Sequence, residues 1–326
     1  MLRVLTYHRI ADPSSALHLN PRLISASPEE FAAQIRFLAT HYRVVGLEDV
    51  LVAFETHRSL PRRSVLITFD DAYRDFMDIA WPILQAHRVP ATLFVPTAYP
   101  DRPERAFWWD RLYRCCTDPA RPELVLPSCG PLPLRTQEER QVALRAAARL
   151  VKSHPHDHAM ALVEEICEQL GEEDSGHHSV LGWDELRLLS RDGVSLCPHT
   201  QWHPLLTRVS GSRARTEISA SLTDMRRELD DVLPAFAYPD GAHDDESVDI
   251  VRQEGFTLAF TQLDGHNDPR RTDRLRLYRT NITPRTNLRI LRLRLQTWFS
   301  HIDRWRHRRQ AHDRHRLSMA HRSAPS

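Results

Sequence analysis

Lysine is almost missing from this 326-residue chain: Lys152 stands alone and arginine carries the rest of the positive charge. The skew fits genome composition better than any arginine-specific chemistry. Net charge is equally scarce. A formal value of +1 argues against strong global attraction to nucleic acid or acidic surfaces, so no nucleic-acid partner is expected. No segment approaches the roughly twenty apolar residues that a membrane span needs. The opening MLRVLTYHRIADP is interrupted by Thr6, Tyr7, His8 and Arg9 before it can act as a leader, and it reads instead as a strand. The five cysteines are odd in number and lack paired C-x-x-C spacing, which indicates neither a disulfide framework nor a structural zinc site. A reducing, cytoplasmic setting is the expectation.

What is present is alternation. Short apolar runs begin at Arg3, Tyr42, Ser64, Ala91, Gly193, Pro234, Phe256 and Leu275, and between them lie segments such as Pro28 to Thr40 with Phe31, Ile35 and Leu38 at helical spacing. Strands alternating with helices mean parallel pairing with helical crossovers, and this many strands predict a closed or distorted barrel. The alternation lapses between about 100 and 180, where proline-rich runs precede a helical stretch from Glu138 to about Leu170. This region is expected to be an insertion over one end of the barrel. It opens on FWWDRL, whose aromatics either anchor the insert or offer a platform for a sugar ring.

Two stretches carry chemistry. VLITFDDAYRDF ends an apolar strand on adjacent carboxylates, Asp70 and Asp71. A buried carboxylate needs a partner, often a metal, although a helix cap is the plainer reading. Far downstream, SLCPHTQWHPLL places His199 and His203 four apart, a spacing that can bring both imidazoles to one face of a helical turn. Both features sit at the C-terminal ends of expected parallel strands, where barrel active sites assemble. Two histidines and one carboxylate would hold a metal with a position left open for water, and the second aspartate is then free to act as a base.

TFDDA at Thr68 to Ala72 followed by HTQWH at His199 to His203 resembles the first two motifs of the polysaccharide deacetylase family, the NodB-homology enzymes of carbohydrate esterase family 4. YHRI at Tyr7 to Ile10 is similar to their opening strand, FAYPDG at Phe236 to Gly241 to their third motif, and GHN from Gly265 with LRLYRTNI falls where later strands belong. The resemblance covers residues 2–282. It implies a distorted (β/α) barrel of the deacetylase type, with Asp70 as base and Asp71, His199 and His203 on a divalent metal. Zinc is the first choice, and cobalt, manganese, iron and nickel can use the same ligands. The implied reaction removes an acetyl group, N-acetyl before O-acetyl, from a glycan or a lipid- or nucleotide-linked sugar.

The chain departs from the family pattern at two places. Where R-P-P-Y-G relatives carry an orienting arginine and an oxyanion-facing tyrosine, this chain has Ala237 and Asp240, with Tyr238 nearby. The late L-x-H motif is not evident either, so His266 is the substitute donor for the leaving amine, and His8 is expected to line the metal pocket. These departures keep open a catalytically silent, glycan-binding member of the same fold. A non-haem iron oxygenase fits less well, because its His-x-Asp order is not present. Beyond the barrel at 1–284, residues 285–326 form an arginine-rich amphipathic tail with Leu291, Leu295, Trp298, Ile302 and Trp305 near helical spacing. Peripheral association with an anionic inner-membrane surface is one expectation for it, and packing of a final helix on the barrel is the other.

Overall fold

The computed structural model describes residues 1–117, 121–127, 129–171 and 179–296. Its main sheet is parallel, in the order β12 (Thr280–Asn281), β1 (Leu2–Tyr7), β5 (Ser64–Asp70), β6 (Thr92–Val95), β9 (Ser195–Pro198). A short β4 (Arg43–Val44) pairs with the first residues of β5. Continuing round, β10 (Ala235–Ala237) and β11 (Leu258–Phe260) form a second parallel pair, and Phe260 bridges to Leu277 just before β12. The ring is thus closed except between β9 and β10, where side chains replace a backbone ladder: Cys197 Sγ reaches Leu233 O at 3.8 Å and His199 Nδ1 meets Ala237 O at 2.7 Å. This is the distorted barrel expected from the sequence. All the apolar runs become strands or bridges, several of them shorter than the runs.

Alternation along each strand sorts the side chains. Leu2, Val4, Leu66, Phe94, Cys197, Ala237, Phe260 and Leu277 point inward as one cluster, which α2 (Leu47–Glu55) closes from the strands' N-terminal end with Leu47, Val50, Leu51 and Phe54. The alternate residues, among them Leu5, Tyr7, Val65, Ile67, Phe69, Leu93 and Val95, face an outer layer of helices. That layer includes α1 (Pro28–His41), α3 (Trp81–Ala86), α7 (Trp183–Arg191), α8 (Gly211–Glu228) and, over β10 and β11, α9 (Asp245–Gln253). Strands buried on both faces explain why their sequences read as continuous apolar runs. Helix α1 starts where Ser27 Oγ accepts the Glu30 N–H at 3.2 Å and Pro28 occupies the first turn, and it buries Phe31, Ile35 and Leu38 as their spacing predicts.

The insertion has a core of its own. It contains α4 (Trp108–Thr117), an antiparallel hairpin of β7 (Glu123–Leu126) and β8 (Gly130–Pro133), α5 (Gln137–Ser153) and α6 (His156–Leu170). Leu112, Cys116, Leu124, Ala147, Val163 and Ile166 form its centre. Two devices fasten it to the barrel. Phe107 is buried against Tyr73 and Tyr99, so the aromatics of FWWDRL do anchor the insert. In addition Asp110 takes Arg9 at 2.9 Å, beneath a guanidinium that lies 3.5 Å from the centre of the Tyr73 ring.

The short strands β2 (Arg9–Ile10) and β3 (Ile24–Ala26) frame the rim, and α10 (Leu288–Arg294) ends the described chain. Leu291 and Leu295 of the tail are buried in the outer layer, as the packing alternative expects. Trp298, Ile302, Trp305 and the arginines that follow lie outside the described residues, and so does the test of a membrane-facing helix there. No helix among the described residues is long and apolar enough to cross a membrane.

Candidate metal centre and its cleft

Strand β5 delivers the two acids differently. Asp70 is the last inward-facing residue of the strand and is buried inside the barrel mouth. At Asp71 the chain leaves the sheet with φ 73°, followed by Ala72 at φ 51°, so the second carboxylate swings over the mouth instead of alternating outward. Residues outside the usual backbone regions recur around this spot, at Thr200, His203 and Asp240, which marks it as a place where the fold holds costly conformations.

The histidine pair is not on a helical turn. After β9, Thr200 at φ 64° and His203 at φ 57° curl the chain. The loop is pinned by Glu217 of α8, whose carboxylate accepts the N–H groups of Gln201 at 3.1 Å and Trp202 at 2.8 Å, while Thr200 Oγ1 accepts that of His203 at 3.0 Å. The result still brings the rings together, 4.8 Å between centroids and nearly perpendicular. His203 Nε2 is 3.3 Å and His199 Nε2 3.9 Å from Asp71 Oδ1.

These three residues suit a cation. One ligand atom from each lies within 4.8 Å of the others. Asp71 Oδ1 is buried without a well-formed hydrogen-bond donor, an orphan acceptor that an ion would satisfy. His199 Nδ1 sits on the Ala237 carbonyl, so its proton belongs there and Nε2 is left with its lone pair toward Asp71. Burial, with His203 nearby, pulls His199 down to about 4 despite the opposing pull of Asp70, so the ring is neutral at pH 7. For Asp71, burial pushes upward but His203, His8 and His199 outweigh it and hold the carboxyl well below its ordinary range.

Asp70 has a partner that the sequence reading missed. Arg279, fully buried beside β12, donates to both carboxylate oxygens at 2.7 and 2.8 Å and to Thr261 O at 2.8 Å. Burial raises the Asp70 carboxyl, but the charge and hydrogen bonds of Arg279, joined by His199 and His8, together outweigh it, so Asp70 stays ionised. Where relatives of the R-P-P-Y-G type carry an arginine this chain has Ala237, and a guanidinium reaches Asp70 instead from the LYRT stretch. Its signal was visible: Leu277 faces inward, and Arg279 lies two residues further on the same face.

The other expected residues fall in different places. His8, Asp71, His199, His203 and Asp240 line one cavity of about 260 Å³. The Asp240 carboxylate is turned onto Lys152 at 2.7 Å. Gly241 after it is required, because a Cβ there would stand 2.4 Å from Gln262 N. The Tyr238 side chain is not at the cavity: it is buried among the outer helices with its hydroxyl donating to Leu275 O at 3.0 Å, and its N–H is taken by Phe260 O.

His266 is at the wrong end of the barrel. Asn267, next to it, exchanges backbone hydrogen bonds with Leu2, and Leu2 is in register with Ser64. That is six residues before Asp70, a rise of roughly 20 Å. The assignment of His266 as proton donor is therefore corrected; the histidines at the cavity besides the two ligands are His8, His154 and His156. The last two come from the α5–α6 junction of the insert, which with Trp108 and Trp109 forms a wall that the motifs did not announce. Trp109 stacks edge-on against His203 and donates to the Tyr73 hydroxyl at 2.8 Å.

A barrel of parallel strands with this Asp-Asp and His-His grouping at its C-terminal mouth defines a class, and comparison supports it: residues 57–259 match the polysaccharide deacetylase family model. The chain belongs to that family. It is 34% identical over 76 residues to the poly-beta-1,6-N-acetyl-D-glucosamine N-deacetylase of Staphylococcus aureus, a match covering 23% of this chain and 26% of that protein. The matched stretch is thus about a quarter of that relative. Among solved structures, the Streptococcus pyogenes deacetylase PplD in complex with acetate superposes with a TM-score of 0.62 at 20% identity, covering 90% of this chain and 98% of that one. A de-N-acetylase from Aggregatibacter actinomycetemcomitans gives 0.59 at 17% identity, with 90% and 99% covered. At these identities the likeness establishes the fold.

Proposed function

We propose that this chain is a metal-dependent hydrolase that removes an acetyl group, from nitrogen in preference to oxygen, on a sugar. The observation that carries this reading is the pairing of a three-ligand cation site with a second carboxylate, Asp70, locked in its ionised form by Arg279. Asp71, His199 and His203 would hold the ion, with zinc the first choice for this ligand set. When bound, the ion supplies Lewis acidity that polarises the acetyl carbonyl and makes a water easier to deprotonate.

Asp70 accepts the proton from the attacking water, and Arg279 fixes the orientation of its oxygens. The N–H of Asp240 is assigned to the developing oxyanion, its own carboxylate being drawn off by Lys152. His8, at the cavity wall, is assigned to give its proton to the leaving amine as the C–N bond breaks, while Asp70 keeps the water's proton until it is released with the acetate. Metal analysis with an acetate-release assay on N-acetylhexosamines tests the reading. Asp71→Ala, His199→Ala and His203→Ala should each lose most of the metal. Asp70→Asn should keep it and lose turnover by roughly a hundredfold or more. Metal loss in Asp70→Asn with retention in Asp71→Asn would reverse the two roles.

A silent glycan-binding member remains the second reading, favoured by the absence of an L-x-H histidine at the mouth, and acetate release by the purified protein removes it. For the tail we propose attraction to anionic membrane, on the arginine recurrence from Arg285 to Arg322. Sedimentation with anionic vesicles at low salt should show binding that is lost when the residues after 296, beyond the packed Leu291 and Leu295, are removed; indifference to the vesicles defeats the proposal.

A further inference from the structure

The cavity beside Asp71 is lined by an excess of positive side chains. Arg22 reaches it from the loop between β2 and β3, Arg208 from the turn after His203, and Lys152 from the end of α5. Lys152 is neutralised by Asp240 at 2.7 Å. The two guanidinium groups have no carboxylate partner among the described residues, whose ion pairs involve other arginines. The difference in treatment is informative. Where arginines enter the interior, the fold supplies their counter-ions: Asp264 for Arg3, Asp75 and Asp110 for Arg9, and Asp70 for Arg279. At this cavity the available acids are spent. Asp71 belongs to the cation site and Asp240 to Lys152.

A cation on Asp71, His199 and His203 would make the cavity more positive still. Two separate segments of chain, at Arg22 and Arg208, thus present uncompensated positive charge to one small space whose other surfaces include Trp108, Met160 and Leu205. Counter-charge at such a wall comes with the occupant, and guanidinium forks match the planar or tetrahedral oxygens of carboxylate and phosphate. A volume of about 260 Å³ lies just under the usual ligand-pocket range of ~300–1,000 Å³, room for one sugar ring and a substituent.

We infer that the substrate is an N-acetylated sugar bearing an anionic group, phosphoryl or carboxylate, held by Arg22 and Arg208 while its acetyl group meets Asp71, His199 and His203. The inference rests on the deacetylase reading above. It adds the charge of the substrate, which that reading leaves open.

The test uses the full chain with three sugars: N-acetylglucosamine 1-phosphate, N-acetylmuramic acid and neutral N-acetylglucosamine. Acetate release gives kcat and KM, and calorimetry gives binding without turnover. At least one anionic sugar should exceed the neutral one tenfold or more in kcat/KM, through KM, and which one does so distinguishes phosphoryl from carboxylate. The combined Arg22→Ala and Arg208→Ala protein should lose that preference, and 0.5 M salt should weaken it. Both positions are exposed, so the variant folds. Arg88→Ala, which removes one positive charge beyond α3 at the other end of the barrel, should preserve the preference. A neutral sugar used equally well, or a preference that survives the double substitution, overturns the inference. If no sugar releases acetate, the deacetylase reading fails separately. Calorimetry then still decides: anionic binding abolished by the double substitution supports the charge assignment, and equal affinity for all three sugars overturns it.

Discussion

At the scale of single residues, two of the buried ion pairs contrast, one balanced and one not. Arg279 and Asp70 satisfy each other through two parallel bonds, and removing either charge strands the other. Arg279→Met should therefore destabilise the protein by about 3–5 kcal/mol in denaturant unfolding, and adding Asp70→Asn should restore most of that. Arg279→Lys, which keeps the charge without the fork, should retain metal and lose turnover. The second case is Arg9, shared between Asp110 at 2.9 Å and Asp75 at 3.4 Å. Asp110 takes the better contact, so burial of Asp75 is under-compensated and pushes its carboxyl up to about 6. A raised folded-state value means stability that is fully present below about pH 4 and lost as pH rises through about 6, by about 2–3 kcal/mol. Asp75→Asn removes that dependence. Compared by unfolding midpoints, the variant should gain on the parent between pH 5 and pH 8; a variant that falls behind at pH 8 would show that Arg9 fully supports the charge.

At the scale of elements, what the sequence made legible was whatever periodicity or a dense motif encodes. The inward face of β5, the buried apolar face of α1 and the mouth-end position of both motifs could be read because alternation and helical spacing fix which side a residue faces. Arg279 escaped because its role was sought in the FAYPDG stretch, while the barrel delivers the same charge from a later strand that closes the ring. His266 was misplaced for the complementary reason: nothing in a loop's composition says that Asn267 returns to the start of β1. The insert was recognised as an insert, yet its contribution of His154, His156 and Lys152 to the cavity follows from tertiary packing alone. Because that insert has a separate core, Ile166→Ala should cost about 2–5 kcal/mol locally. Hydrogen exchange should quicken in α5 and α6 while β1 and β5 keep their protection, and metal content should hold as the KM for sugar rises. Equal loss of protection in the barrel strands would show that insert and barrel unfold as one.

At the scale of the whole molecule, the strand ring has a single break among the described residues, and a candidate cation ligand spans it. His199 offers one ring nitrogen to the site and lays the other on Ala237 O, across the interval between β9 and β10 where no backbone ladder runs. Ion affinity and ring closure are then two faces of one equilibrium, each strengthening the other by the same free energy. Chelation should speed amide exchange at Leu196, Cys197, Phe236 and Ala237 more than in β1 and β5, and urea below the unfolding midpoint should release the ion first; uniform exchange on chelation would uncouple the two. If exchange quickens there, the barrel works as a hoop fastened by the ion it carries, and without that ion the interval between β9 and β10, which no backbone ladder closes, should widen and offer both strand edges to a neighbour that can pair with them.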